Sequence, residues 1–92
     1  MIEDSLEVVC PSGLHARSAK NLVNLVEEHE SDVFLKHDGV EATGDSIMEV
    51  MMLAASPGTR IDVEIDGPDE DDVHDELVDF FREGFYENEQ NV

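Results

Sequence analysis

Any fold open to this chain must keep 24 carboxylates in water, because its 92 residues carry 24 Asp and Glu against five Lys and Arg, a formal net charge of −19. Charged side chains are almost never fully buried without a partner. A surface of this sign repels phosphate backbones, which proteins hold with Lys and Arg, and so argues against nucleic acid as a partner. It disfavours anionic membranes for the same reason. The acidity fits either a disordered acidic chain or a folded domain adapted to concentrated salt. Self-repulsion weakens a compact state in dilute buffer, and salt relieves it, since the Debye length falls to roughly 3 Å at 1 M. The acids are spread over every segment, which suits a surface property better than a binding tail, and the periodicities described next decide for a folded domain.

The clearest of these periodicities is Ile61, Val63 and Ile65 alternating with Arg60, Asp62, Glu64 and Asp66, a strand with one buried face. Leu6-Glu7-Val8 alternates in the same way, and the run ends through Val9-Cys10 at Pro11. Pro11-Ser12-Gly13 is a loop by composition. From Ala16 to Glu28, residues Ala19, Leu22, Val23 and Val26 fall at helical spacing. Val33-Phe34-Leu35-Lys36 and Val40-Glu41-Ala42-Thr43 are two strands joined by Asp38-Gly39, a hairpin turn whose residues tolerate positive φ. Ile47 to Leu53 is a short helix capped by Asp45 or Ser46, and Ala54-Ala55-Ser56-Pro57-Gly58 stops it. Asp69-Glu70-Asp71-Asp72 loads the first turn of a last helix, whose inner stripe is Val73, Leu77, Phe80, Phe81 and Gly84.

The resulting order, βαββαβα, predicts an α+β open-faced sandwich with helices on one face of a sheet. Residues 1–92 read as one domain, with residues 87–92 a frayed tail. No apolar run approaches the roughly 20 residues of a membrane crossing. The start of the chain is acidic and lacks a signal-peptide core. A lone cysteine, Cys10, permits no internal disulfide. The chain therefore reads as soluble and cytoplasmic. Order alone assigns no function.

Chemistry enters at Gly13-Leu14-His15-Ala16-Arg17, where a histidine stands between a glycine loop and a helix that begins at Gly13 or His15. The first helical N–H groups have no intrahelical partners, and the helix dipole adds positive potential, so the terminus is a ready anion site. Arg17 adds a planar cationic fork suited to phosphate oxygens. The same environment favours a neutral imidazole with a ring nitrogen free to attack. Nucleophile and anion cradle coincide, which suits reversible phosphoryl transfer. The residues alone leave a second reading open: His15 as a helix cap or surface residue, and Arg17 as a solvated helix side chain.

That segment, with Ala19 after it, resembles the active-site signature of the histidine-containing phosphocarrier (HPr) family. Asp45-Ser46-Ile47-Met48-Glu49-Val50-Met51-Met52-Leu53 resembles the family's second motif, and Gly58-Thr59 falls where the family has it. The resemblance runs from Leu6 to Phe81. It implies a four-stranded antiparallel sheet covered on one face by three helices. It also implies a phosphoryl carrier rather than a turnover enzyme, working without cofactor or metal. His15 would take a phosphoryl group on Nδ1 from enzyme I of a phosphoenolpyruvate-dependent sugar phosphotransferase system and pass it to a IIA component. Arg17 would steady the phosphate, with backbone N–H groups of Ala16 and Arg17 around it, and Ser18 beside them is a further phosphate-binding candidate. Ser18 stands where the family commonly has proline; it restores an N–H and adds a hydroxyl. Asn24, Glu27 and Glu49 occupy positions that are often basic in relatives and face partners.

Ser46 reads first as a helix cap, worth roughly 1 kcal/mol. In some members of the family the matching serine is phosphorylated, which makes Ser46 a candidate regulatory position, although a dianion there would meet Asp45 and Glu49. Ile47, Met48, Met51 and Met52 give the short helix apolar residues nearly all round, so part of the set must stay exposed. Val50 and Leu53 are the expected core members, and Ile47, Met48 and Met51 the expected docking patch. His29, His37 and His74 lack partners at metal-ligand spacing, and the 69–72 acid run lacks the pattern of a calcium loop. The expectation is a monomeric phosphocarrier. The alternatives are a regulatory binding module that keeps the fold without carrying phosphate, or a carrier paralogue serving dihydroxyacetone phosphorylation or regulation.

Overall fold

The computed structural model describes residues 1–9, 15–53 and 56–85. Cys10, the Pro11-Ser12-Gly13 loop, Ala54-Ala55 and the 87–92 tail lie outside the described residues. The order is β1 (Ile2–Glu7), α1 (Ala16–Glu27), β2 (Asp32–His37), β3 (Val40–Thr43), α2 (Ile47–Met52), β4 (Arg60–Asp66) and α3 (Glu70–Arg82). The four strands form one antiparallel sheet in the order β1-β4-β2-β3, with three helices on one face.

Strand alternation separates the two faces of this sheet. Leu6, Val33, Leu35, Ala42, Ile61, Val63 and Ile65 point into a core closed by Leu22, Val26, Val50, Leu77 and Phe80 from the helices. The other face carries exposed Glu3, Glu7, Asp32, Glu41, Asp62, Glu64 and Asp66, so period-two patterning sends these carboxylates to water. Asp38 and Gly39 both adopt positive φ, 52° and 80°, and close the β2–β3 hairpin as its dipeptide predicts.

Beyond end shifts of one residue in α1, β2 and α2, four boundaries or roles differ from the sequence expectation. β1 begins at Ile2 rather than Leu6. Its alternation is broken at Asp4, which faces Val63 across the ladder and reaches His74 Nε2 on α3 at 2.8 Å. Val8 lies beyond the strand but is fully buried, and it exchanges hydrogen bonds with the segment before β4, to Thr59 O at 2.7 Å and from Gly58 N at 2.8 Å. Gly84 is not part of α3: it has φ 69°, and the buried member is Phe85 at φ 60°. The Phe85 ring stacks on Phe80 at 4.9 Å and meets Phe81 edge-on at 4.8 Å.

The fourth difference concerns the acid run before α3. Asp69 occupies the N-cap position without capping the helix. Its carboxylate accepts from Ser31 Oγ at 2.5 Å and from the Glu30 N–H at 3.1 Å, and it lies 3.1 Å from His29 Nδ1. The Ser31 hydroxyl bond, first, then the Glu30 N–H and His29, hold the Asp69 carboxyl at about 2, below its usual 3.8. His29 Nε2 also lies 2.7 Å from Glu76, as an ion-pair contact outside hydrogen-bond geometry. Gly67 lets this junction close, since a Cβ there would stand 2.5 Å from Ser31 Cα.

Candidate functional site

α1 starts at Ala16 because His15 caps it. The His15 backbone is extended (φ −146°, ψ −174°), and its Nδ1 accepts the Arg17 N–H at 3.2 Å. The Ser18 N–H is directed at the same side chain, and the Ser18 hydroxyl answers by accepting the His15 N–H at 2.9 Å. This reciprocal arrangement is a capping box with imidazole in the place usually taken by a hydroxyl or carboxylate. It fixes the tautomer of the neutral ring: Nδ1 accepts, so the proton sits on Nε2. The imidazole is half-buried rather than packed under the core.

The lone pair at Nδ1 therefore points at amides with no intrahelical carbonyl to bind. No acid lies in the first turn of α1. The Arg17 side chain is exposed, and Ala16, Arg17, Lys20, Asn21 and Asn24 line a groove of about 510 Å³ along the helix. A second hollow, of about 210 Å³ and lined in part by Glu27, Glu30, Asp32 and Asp45, is acidic and unsuited to an anion.

One signal visible in the sequence bears on this site. Val8 to Val26, nineteen consecutive residues, contain no acid and form the longest such stretch in the chain. That stretch holds His15, Arg17 and Lys20, so two of the five cations in the chain lie there. The even spread of acids expected from the sequence thus has a gap at the first helix.

The second motif lies on α2, which packs against α1 and β3. Ser46 caps α2, its hydroxyl accepting the Glu49 N–H at 3.3 Å. Val50 and Leu53 are buried, and Ile47, Met48 and Met51 are 39%, 76% and 40% exposed. Met52, which the expected docking patch omitted, is 66% exposed and belongs to the same exposed apolar set. The Glu49 carboxylate does not project freely: it accepts the Thr43 N–H at 3.1 Å and ties α2 to the end of β3. Asn21 Nδ2 donates to Phe85 O at 3.0 Å, anchoring the segment after α3 to the helix that His15 caps.

Among the described residues no group of three or more His, Cys, Asp or Glu is placed to hold a metal ion, and no helix is long and apolar enough to cross a membrane. His29 and His74 instead face the carboxylates of Asp69, Glu76 and Asp4.

Comparison with known proteins agrees with this geometry. The family profile described as "PTS HPr component phosphorylation site" matches residues 2–83. Phosphocarrier protein NPr of Proteus mirabilis is 42% identical over 77 residues, 83% of this chain and 86% of that protein. Phosphocarrier protein HPr of Xylella fastidiosa is 42% identical over 88 residues, covering 96% and 99%. The crystal structure of HPr-C-His from Thermoanaerobacter tengcongensis superimposes with a TM-score of 0.88 at 31% identity, covering 95% of this chain and 98% of that one. An imidazole-capped helix, a methionine-rich second helix and a βαββαβα sandwich thus occur together in a chain that belongs to the HPr/NPr family of phosphocarrier proteins, which are carriers rather than catalytic enzymes.

Proposed function

We propose that this chain accepts a phosphoryl group on His15 Nδ1 from enzyme I, which draws it from phosphoenolpyruvate, and passes it to a IIA component for sugar uptake and phosphorylation. The observation that carries this reading is the 3.2 Å contact between His15 Nδ1 and the Arg17 N–H. It supports the reading by bringing a ring-nitrogen lone pair to amides that have no intrahelical carbonyl partner.

In the resting state the ring caps the helix. To react, it turns about its side-chain torsions and releases the Arg17 N–H, which costs about 1 kcal/mol for one hydrogen bond. Nδ1 then attacks phosphorus, the new N–P bond forming as the donor's bond to phosphorus breaks, and the proton on Nε2 stays in place. The released amides of Arg17 and Ser18, with that of Ala16, then donate to the phosphoryl oxygens, where a dianion suits the helix terminus better than a neutral ring. The exposed Arg17 guanidinium neutralises part of the developing charge. Ile47, Met48 and Met51 form the docking patch for enzyme I and IIA. Ser46 caps α2 and is the candidate regulatory position. The carrier works as a monomer in the cytoplasm, as one HPr-like domain with a surface suited to concentrated salt.

The test is incubation with phosphoenolpyruvate and the cognate enzyme I. An acid-labile phosphate that disappears in His15→Ala is the expected result; undiminished labelling of that variant rejects the reading. A second reading has its own support, because an NPr and an HPr are equally similar to this chain at 42% identity. In that case the carrier serves an acceptor outside sugar uptake. Labelling of His15 without transfer to a sugar-specific IIA protein selects it.

A further inference from the structure

We infer that the Ser18 hydroxyl is a positioning group for His15, holding the backbone still while the imidazole changes from helix cap to nucleophile. The inference rests on the phosphocarrier reading for its function, but its geometry is independent of it. Ser18 is fully buried. Its Oγ accepts the His15 N–H at 2.9 Å and donates to His15 O at 3.1 Å. One hydroxyl therefore engages both backbone polar groups of a single residue. His15 O also accepts the Ala19 N–H at 2.8 Å, the first full turn of α1.

Those contacts constrain the two dihedrals on either side of the His15 Cα, at φ −146° and ψ −174°. With both held, the direction of the Cα–Cβ bond is fixed, and only side-chain torsions remain for the ring. Rotation then exchanges the Nδ1 contact without displacing the amides that receive the phosphoryl group. Pre-positioned donors that need not reorganise are the efficient way to stabilise developing charge. A proline at this place would supply neither the hydroxyl nor the N–H that is directed at the imidazole. Serine supplies both, and the two contributions are separable: Ser18→Ala removes the hydroxyl and keeps the N–H, whereas Ser18→Pro removes both.

The experiment uses the full chain and two readouts. In the unphosphorylated protein, nitrogen NMR of the His15 ring reports tautomer populations across a pH series. In the enzyme I reaction, steady-state kinetics separate kcat from KM. For Ser18→Ala we expect the Nε2–H tautomer to lose its dominance and kcat to fall roughly tenfold, the rate equivalent of about one hydrogen bond, with KM unchanged because α2 is untouched. Ser18→Pro, which also lacks the N–H, should show a shorter phosphohistidine lifetime than Ser18→Ala. Wild-type ring populations in Ser18→Ala overturn the inference, as does a change confined to KM. If wild type takes up no phosphate, the phosphocarrier reading fails, and the NMR series alone decides whether Ser18 positions His15.

Discussion

Asp69 Oδ1 lies 2.5 Å from Ser31 Oγ, so the residue at the start of α3 braces the turn between α1 and β2 instead of capping its own helix. Its carboxyl is held at about 2 against a usual 3.8. A depressed carboxyl contributes stability that is present above the unfolded value and lost as pH falls through the folded one. Acid unfolding should therefore steepen between pH 3.8 and about 2. Asp4, lowered chiefly by its His74 bond, acts in the same direction. Asp69→Asn should flatten that limb and lower the melting temperature at neutral pH, both read from thermal denaturation over a pH series. A variant with the wild-type acid limb contradicts the assignment.

Phe85→Ala should cost about 3–5 kcal/mol, because Phe85 is fully buried and stacked on Phe80. Urea denaturation measures the loss. A cost below 1 kcal/mol, as for ordinary surface substitutions, would show that the segment after α3 is dispensable to the core.

Met48 is 76% exposed, so Met48→Glu should leave stability within about 0.5 kcal/mol of wild type. The same change should raise KM for enzyme I, since it places a charge in the apolar patch. Unchanged KM in phosphoryl-transfer kinetics would remove α2 from the docking surface.

Lys20→Glu puts an acid into the nineteen-residue stretch that has none. Partner association should slow at low salt and recover toward the wild-type rate near 1 M, where screening acts within roughly 3 Å. Stopped-flow association rates over a salt series test this. A defect that persists unchanged in molar salt would point to a direct contact instead of the local field.

At −19 the whole chain should also melt at higher temperature in molar salt than in dilute buffer. A flat or falling melting temperature over that range contradicts salt adaptation.

The elements legible in the sequence were those whose packing follows one period. β4 alternates without interruption, and β3 begins and ends where its pattern does. The α1 stripe Ala19, Leu22, Val23 and Val26 is buried as spaced. The first part of β1 is not legible because Asp4 breaks its alternation, and the reason, a histidine seventy residues away, is invisible locally. Phe85 falls outside any helical stripe because its backbone leaves the helix at positive φ. Asp69 looked like one solvated acid among four, since its partners come from the other end of α1. At the site, the meeting of a histidine and the free amides at the start of α1 is legible from His15 and Arg17. The Ser18 hydroxyl's hold on the His15 backbone was not, because it depends on a side-chain rotamer that no spacing rule encodes.

The uncovered face of the sheet bears seven carboxylates and lies away from the helix layer that presents His15. The strand-borne acids and the proposed phosphoryl acceptor therefore lie on different sides of the molecule. Charge could be trimmed or added on the strand side to follow the salinity of the surroundings, leaving the imidazole, its serine brace and the methionine patch untouched.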